Sequence, residues 1–332
     1  MELFNGASRQ VLVTGAAGFI GSHLTERLVR EGAKVRALVH YNSRNDWGQL
    51  EPLPQEIMSE IDVVTGDIQD PFAVRKAVKG CEVVFHLASL IAIPYSYVAP
   101  QSYVTTNVLG ALNVMQAALD EGVSKVVHTS TSETYGTALY VPIDEKHPLQ
   151  GQSPYSASKI GADKIAESYH LSFGLPVATV RPFNTYGPRQ SARAVIPTII
   201  TQVLKGGPLK LGSLTPTRDL NYVNDTVAGF LSVAGSERST GEVINIGSGR
   251  EIAVGDLARK IMAIIGREVE IICENQRVRP EKSEVERLLA DNSKARELLG
   301  WEPCVTLDEG LKCVVEWMRD HLALYKTNIY NV

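Results

Sequence analysis

Tyr155 and Lys159 stand four residues apart in the run Tyr155-Ser156-Ala157-Ser158-Lys159, and on a helix that spacing puts both side chains on one face. A phenol with a pKa near ~10 is a poor base at neutral pH. A neighbouring ammonium favours the phenolate and lowers that value. Such a pair is suited to take the proton of a hydroxyl while the carbon bearing it gives up a hydride. A second group lies upstream, in Ser130-Thr131-Ser132-Glu133-Thr134-Tyr135-Gly136. Thr131 is suited to hydrogen-bond a substrate hydroxyl. Glu133 is a carboxylate that oxidation alone does not require, and a base at such a place suits removal of a proton made acidic by a new ketone. Taken singly, the Tyr/Lys pair also reads as an exposed helical pair and Glu133 as a loop or capping carboxylate.

The run Thr14-Gly15-Ala16-Ala17-Gly18-Phe19-Ile20-Gly21 supplies the missing acceptor. It follows the first apolar strand and opens the first helix. Gly15 and Gly18 allow a tight turn and close approach of backbone N–H groups to a pyrophosphate, Gly21 allows helix and strand to pack closely, and the helix start favours the anion. Phe19 and Ile20 carry two of those N–H groups. Asp67 and Ile68 after the third strand, and Leu87 and Ala88 after the fourth, are expected along the same cofactor crevice. The second strand ends in Val39-His40-Tyr41-Asn42-Ser43-Arg44, without the carboxylate that usually meets the adenine ribose of NAD. His40, Asn42, Ser43 and Arg44 are suited instead to a 2′-phosphate, which favours NADP over NAD. They read equally as solvated loop residues.

These groups need a scaffold that delivers strand ends to one crevice. Apolar, β-branched runs at Val11–Thr14, Val35–Val39, Ile61–Thr65, Val83–Leu87, Val126–Thr129 and Val177–Val180 predict strands buried on both faces. Helical patterns at Ile20–Arg30, Phe72–Val78, Val108–Leu119 and Ser158–Leu171 alternate with them. The expected fold class is α/β, a doubly wound parallel Rossmann sheet with a smaller α/β substrate-binding lobe. The sheet domain is expected over residues 1–182 with about 220–247, since Val243–Ile246 reads as one more strand, and the lobe over 183–219 and 248–332. His86 and His128 fall within strands and read as satisfied core residues.

The chain has 332 residues, a net charge of −4, 44% hydrophobic and 21% charged residues. No global basic field recruits nucleic acid or a membrane surface, so phosphate binding must be local. No apolar run reaches the ~18 residues of a bilayer span, and the opening MELFNGASRQ does not read as a signal peptide. Cys81, Cys273, Cys304 and Cys313 are scattered, with no CxxC pair. They are expected to be reduced thiols, buried or half-buried, in a cytoplasmic protein without a metal site.

TGAAGFIGSHL, STSETYG, YSASK, RPFNTYGPRQ, RDLNYVNDTV and DNSKARELLGWEP together make the chain, from about Arg9 to His321, resemble the nucleotide-sugar 4,6-dehydratases of the extended short-chain dehydrogenase/reductase family. Within it the similarity is closest to bacterial enzymes acting on UDP-N-acetylglucosamine. The resemblance implies that Tyr155 removes the O4 proton as hydride leaves C4, that Lys159 tunes Tyr155 and holds the nicotinamide ribose, and that Thr131 orients the 4-hydroxyl. It implies that Glu133 takes the C5 proton, that water leaves from C6 and that hydride returns there, so the cofactor is regenerated in each turnover. Many dehydratases have Asp before the glutamate as acid for the departing hydroxyl. Ser132 stands there in this chain, as in GDP-mannose dehydratases, so Glu133 is expected to deliver that proton too. By position, Asn184, Arg218 and Arg279 are implied at the substrate diphosphate, the arginines also reading as surface ion pairs. Family members pair the helices at Val108–Leu119 and Ser158–Leu171 across a two-fold, which implies a homodimer. UDP-glucuronate decarboxylases share the Thr-Ser-Glu triplet and the Tyr/Lys pair. A 4-epimerase needs the pair but no C5 base, and a redox-sensing Rossmann module needs neither.

Overall fold

The computed structural model describes residue 4 and residues 8–326, so residues 1–3, 5–7 and 327–332, including parts of the expected domain boundaries and of the opening segment, lie outside the described residues. Among the described residues twelve strands run in chain order: β1 Gln10–Thr14, β2 Lys34–His40, β3 Ile61–Gly66, β4 Val83–His86, β5 Lys125–Thr129, β6 Val177–Pro182, β7 Asn184–Tyr186, β8 Leu209–Leu211, β9 Thr217–Tyr222, β10 Val243–Ile246, β11 Glu251–Ala253 and β12 Ile271–Cys273. Seven of them form one parallel sheet in the order β10-β6-β5-β4-β1-β2-β3. The order reverses at β1, which lies between β2 and β4, so the crevice beyond the carboxyl ends of β1 and β4 is where such a sheet takes its ligand.

The pleat sorts each central strand between two cores. On β1, Val11 and Val13 join the larger apolar cluster, which includes Leu24 and Leu28 of the helix Phe19–Arg30 and Phe230 of the helix Val223–Gly235. Leu12 points the other way, into a cluster with Val84, Val126, Val114, Met115 and Ala166, covered by the helices Gly110–Asp120 and Pro154–Phe173. Alternate residues therefore bury on opposite faces, and both faces carry helices.

The remaining strands build a smaller region. β11 pairs antiparallel and β7 parallel with β9, while β8 and β12 form a parallel pair. Because β10 returns to the large sheet beside β6 after β9 has been made, the two regions interleave along the chain. No helix among the described residues is long and apolar enough to cross a membrane.

Some elements differ from expectation. The helix at Pro154–Phe173 starts earlier than Ser158, because Ser153 and Ser156 form a reciprocal capping box with Pro154 in the first turn. The helix expected from Val108 continues upstream through a π-helical stretch at Val104–Leu109. Of the four free thiols only Cys81 is buried; Cys273 and Cys313 are exposed because they sit on the outward faces of β12 and of the helix Leu307–Asp320, and Cys304 is exposed in the loop before that helix.

Two buried histidines and one half-buried histidine are held neutral. His86 and His128 are pushed down by burial inside the sheet, and burial together with the Arg189 charge lowers His23 to about 4. Between pH 6.5 and about 4 the unfolded chain takes up a proton on His23 that the folded chain refuses, so folding stability is full above 6.5 and falls as the pH drops through that window. Denaturant titrations should show this loss, and His23→Gln should reduce its slope. An equal slope in that variant would remove His23 from the account.

Candidate active site

At the head of β1, Gly15 takes φ +70°, and a Cβ there would stand 2.8 Å from the Ala88 backbone nitrogen. At Gly21 a Cβ would stand 2.2 Å from the Gly15 carbonyl oxygen. Both positions thus require glycine for close backbone approach. Gly18 caps the helix Phe19–Arg30 without a side-chain bond, so the first N–H groups, at Phe19 and Ile20, remain available to an anion. Leu87 and Ala88 border the same loop, their N–H groups each 3.1 Å from Thr14 Oγ1. A tight cradle without Cβ atoms at an uncapped helix start fits a dinucleotide pyrophosphate.

At the neighbouring strand ends His40 meets Asp67 at 3.3 Å. Ile68 packs under the glycine at position 110, where a Cβ would lie 2.5 Å from its Cδ1. Asn42 is engaged in its own turn. Its Oδ1 accepts from the N–H groups of Arg44 and Asp46, both at 3.1 Å, and its Nδ2 donates to the Asp46 carbonyl at 2.7 Å. Ser43 is exposed, and the Arg44 guanidinium is 84% exposed with Asp46 4.0 Å away.

The short 3₁₀ turn Ser132–Tyr135 follows β5 and is capped by Thr131, whose Oγ1 accepts from the Glu133 N–H at 3.3 Å. This turn and the helix Pro154–Phe173 bring Thr131 and Tyr155 together, close enough for the Thr131 hydroxyl to act on the Tyr155 phenol. Tyr155, Lys159, Ser132 and Glu133 are all buried. Lys159 Nζ donates to the Thr129 carbonyl at the end of β5, 2.6 Å away. The Glu133 charge acts on both the Tyr155 phenol and the Arg218 guanidinium.

The expected lowering of the Tyr155 pKa is not found. Burial pushes it well up, the Thr131 hydrogen bond only partly opposing this and the Glu133 charge adding to it. The physical reason is that Lys159 is turned to a backbone carbonyl, while burial lowers its own pKa to about 8.

Asn184 begins β7, and its Oδ1 is buried without a hydrogen-bond partner among the described residues. Arg218 and Arg279 converge on one carboxylate, Glu284 Oε1, at 3.1 and 3.5 Å. The two arginines are thus brought together, and Arg218 also lies near Glu133.

Sequence reasoning missed a buried polar group behind the Tyr/Lys pair. Asp163 accepts from His128 Nε2 at 3.2 Å, Ser130 Oγ at 2.6 Å and Arg181 Nη2 at 2.8 Å. An acid one helical turn beyond Lys159, and an arginine ending the apolar strand β6, were the available signals. Tyr103 was missed as well: its ring packs against Tyr155 edge to face with centroids 6.2 Å apart.

Residues 12–314 match the sequence profile of the GDP-mannose 4,6 dehydratase family. The chain belongs to that family. Its relatives divide between reactions. It is 34% identical to a putative UDP-glucose 4-epimerase of Methanocaldococcus jannaschii, over 94% of this chain and 99% of that one. It is 33% identical to a dTDP-glucose 4,6-dehydratase of Streptomyces antibioticus, over 95% and 94%. Among solved structures, a dTDP-glucose 4,6-dehydratase of Streptomyces venezuelae with NAD bound superposes with a TM-score of 0.86 at 31% identity, covering 96% of this chain and 99% of that one. The protein is therefore an enzyme of the nucleotide-sugar dehydratase and epimerase group, with the Rossmann architecture of its structural neighbours.

Proposed function

We propose that the enzyme is a nucleotide-sugar 4,6-dehydratase, forming a 4-keto-6-deoxy sugar or the related 5,6-ene, with UDP-N-acetylglucosamine as the first substrate to test. The observation that carries this reading is Glu133, a buried carboxylate whose charge acts on the Tyr155 phenol. A 4-epimerase has no step for a base at C5, whereas elimination of water across C5 and C6 requires one.

The glycine loop and the N–H groups of Phe19 and Ile20 would hold the dinucleotide. When bound, its nicotinamide supplies reversible hydride acceptance. Tyr155 takes the O4 proton, with Thr131 orienting the hydroxyl to which both are bonded. Lys159 holds a positive charge beneath them. Glu133 removes the C5 proton acidified by the C4 ketone. Ser132 is too weak an acid to protonate the departing C6 hydroxyl, so Glu133 returns its proton there. Arg218 and Arg279 hold the diphosphate, charge against charge, and the Asn184 amide Nδ2 donates to it.

Dinucleotide choice rests on Arg44. Its exposed guanidinium, loosely paired with Asp46, supports NADP. A homodimer is supported by the exposed Val104, Leu109, Leu171 and Phe173 on two neighbouring helical segments.

Three outcomes follow. Mass spectrometry should show loss of water from the substrate, with solvent deuterium at C5 in heavy water. Glu133→Gln should slow this by about 10²–10⁴-fold and Tyr155→Phe should stop it. Near-normal turnover and deuterium incorporation in Glu133→Gln would overturn the reading, an unchanged mass would point to epimerisation, and loss of carbon dioxide from a UDP-glucuronate would point to decarboxylation. Arg44→Ala should weaken NADP by about tenfold and NAD little; equal weakening would leave Arg44 without a role in the choice. Sedimentation at micromolar protein should give twice the chain mass, and a monomer there would refute the pairing.

A further inference from the structure

Asp163 lies one turn beyond Lys159 on the helix Pro154–Phe173, on the same face, and both are buried. Its two oxygens are fully engaged from two strands: His128 on β5 reaches Oδ1, while Ser130 just past β5 and Arg181 on β6 reach Oδ2. Burial alone would raise its pKa, but the His128 hydrogen bond and the Arg181 charge hold it well below the usual carboxylate range. It is an ionised group fixed in place.

Lys159 has a different setting. Its hydrogen bond goes to a neutral carbonyl, that of Thr129. The groups facing it are His86 on β4 and His128 on β5, both held neutral by burial, and Tyr155 on its own helix. Burial drives this ammonium toward its neutral form, and the charge that opposes it is that of Asp163. Arg181, the other buried cation, is already paired with Asp163 and packs over the Tyr135 ring at 4.7 Å.

We propose that Asp163 is a positioning residue of this site, whose buried negative charge keeps Lys159 an ammonium at neutral pH. The inference rests on the reading of Tyr155 and Lys159 as the oxidation pair only for its catalytic consequence, because the charge of Lys159 is measurable by itself. A side chain four residues along one helix holds the counter-charge at fixed separation without occupying the space above Lys159, which a direct salt bridge would fill.

The test is the titration of Lys159 in purified protein with its co-purifying nucleotide. Protein carrying ¹³Cε-lysine would be used, with the Lys159 signal assigned by its absence in Lys159→Met. Asp163→Asn should lower the titration midpoint by about 1–3 units, and Asp163→Glu should restore most of it. The alkaline limb of turnover should move in the same direction. Should Asp163→Asn lack a cooperative melt, Asp163→Asn combined with Arg181→Met replaces the buried ion pair by a neutral one and is read against Arg181→Met alone, so that only the Asp163 charge differs and the same downward shift is expected between the two. An unchanged or raised midpoint in a folded variant overturns the proposal. A midpoint that falls while the alkaline limb stays in place supports it and counts instead against the assigned role of Lys159 in oxidation.

Discussion

The site hangs on a row of polar side chains buried across the middle of the sheet. Thr14, His86 and His128 are register partners on β1, β4 and β5, one step beyond the apolar row Leu12, Val84 and Val126 on the same face. Polar groups buried this deeply cost several kcal/mol unless they are bonded. Thr14 Oγ1 meets His86 Nδ1 at 2.9 Å, and His128 meets Asp163. The same hydroxyl takes the N–H groups of Leu87 and Ala88, and thereby sets the backbone against which Gly15 turns. One row of bonds therefore fixes two things at once: the shape of the dinucleotide loop and the seat of the helix carrying Tyr155 and Lys159.

This coupling explains the local departures from ordinary core composition. The helix Pro154–Phe173 buries Lys159, Asp163 and Tyr155 on the side that would otherwise be apolar, and it is anchored at its start by the Ser153/Ser156 capping box. Lys159 ties the helix to the end of β5 through the Thr129 carbonyl, and Asp163 ties it to β5 and β6. The next contacts along the helix, through Ala166 and Tyr169, are with the apolar cluster. The chemistry is thus confined to the first three turns, where the strands end and solvent enters, while the later turns supply burial.

The parallel strands were legible because β-branched runs are hard to place anywhere but in a doubly covered sheet, and the glycine loop because Gly15 and Gly21 admit no other residue. The Tyr/Lys pair was legible from spacing. Asp163 was not, because an acid inside a helix reads by default as solvated, and only the register of β5 and β6 reveals the three donors waiting for it. The direction of the Tyr155 shift is hidden from the sequence for a related reason. A spacing of four brings an ammonium near a phenol, but it does not say that the ammonium will turn to the carbonyl of Thr129 or how deeply the phenol will be buried. Residue type likewise does not show that the Asn42 amide is engaged by the backbone of residues 44 and 46.

The arginines bear on how such a site discriminates. Arg218 and Arg279 are not bare cations: both share Glu284, and Arg218 lies within reach of the Glu133 charge. A diphosphate arriving there exchanges one anion for another, so the free energy of the exchange is a difference between two ion-pair terms, not the full value of either. The gain has to come from bidentate geometry, in which a planar guanidinium meets two oxygens, and from displacing a carboxylate whose release is favoured by hydration. Phosphate contacts of this kind position a ligand without identifying it. Identity must then be read away from the diphosphate, at the buried Glu133 and the half-buried Thr131, because leaving such a group unbonded costs more than losing a bond at the surface.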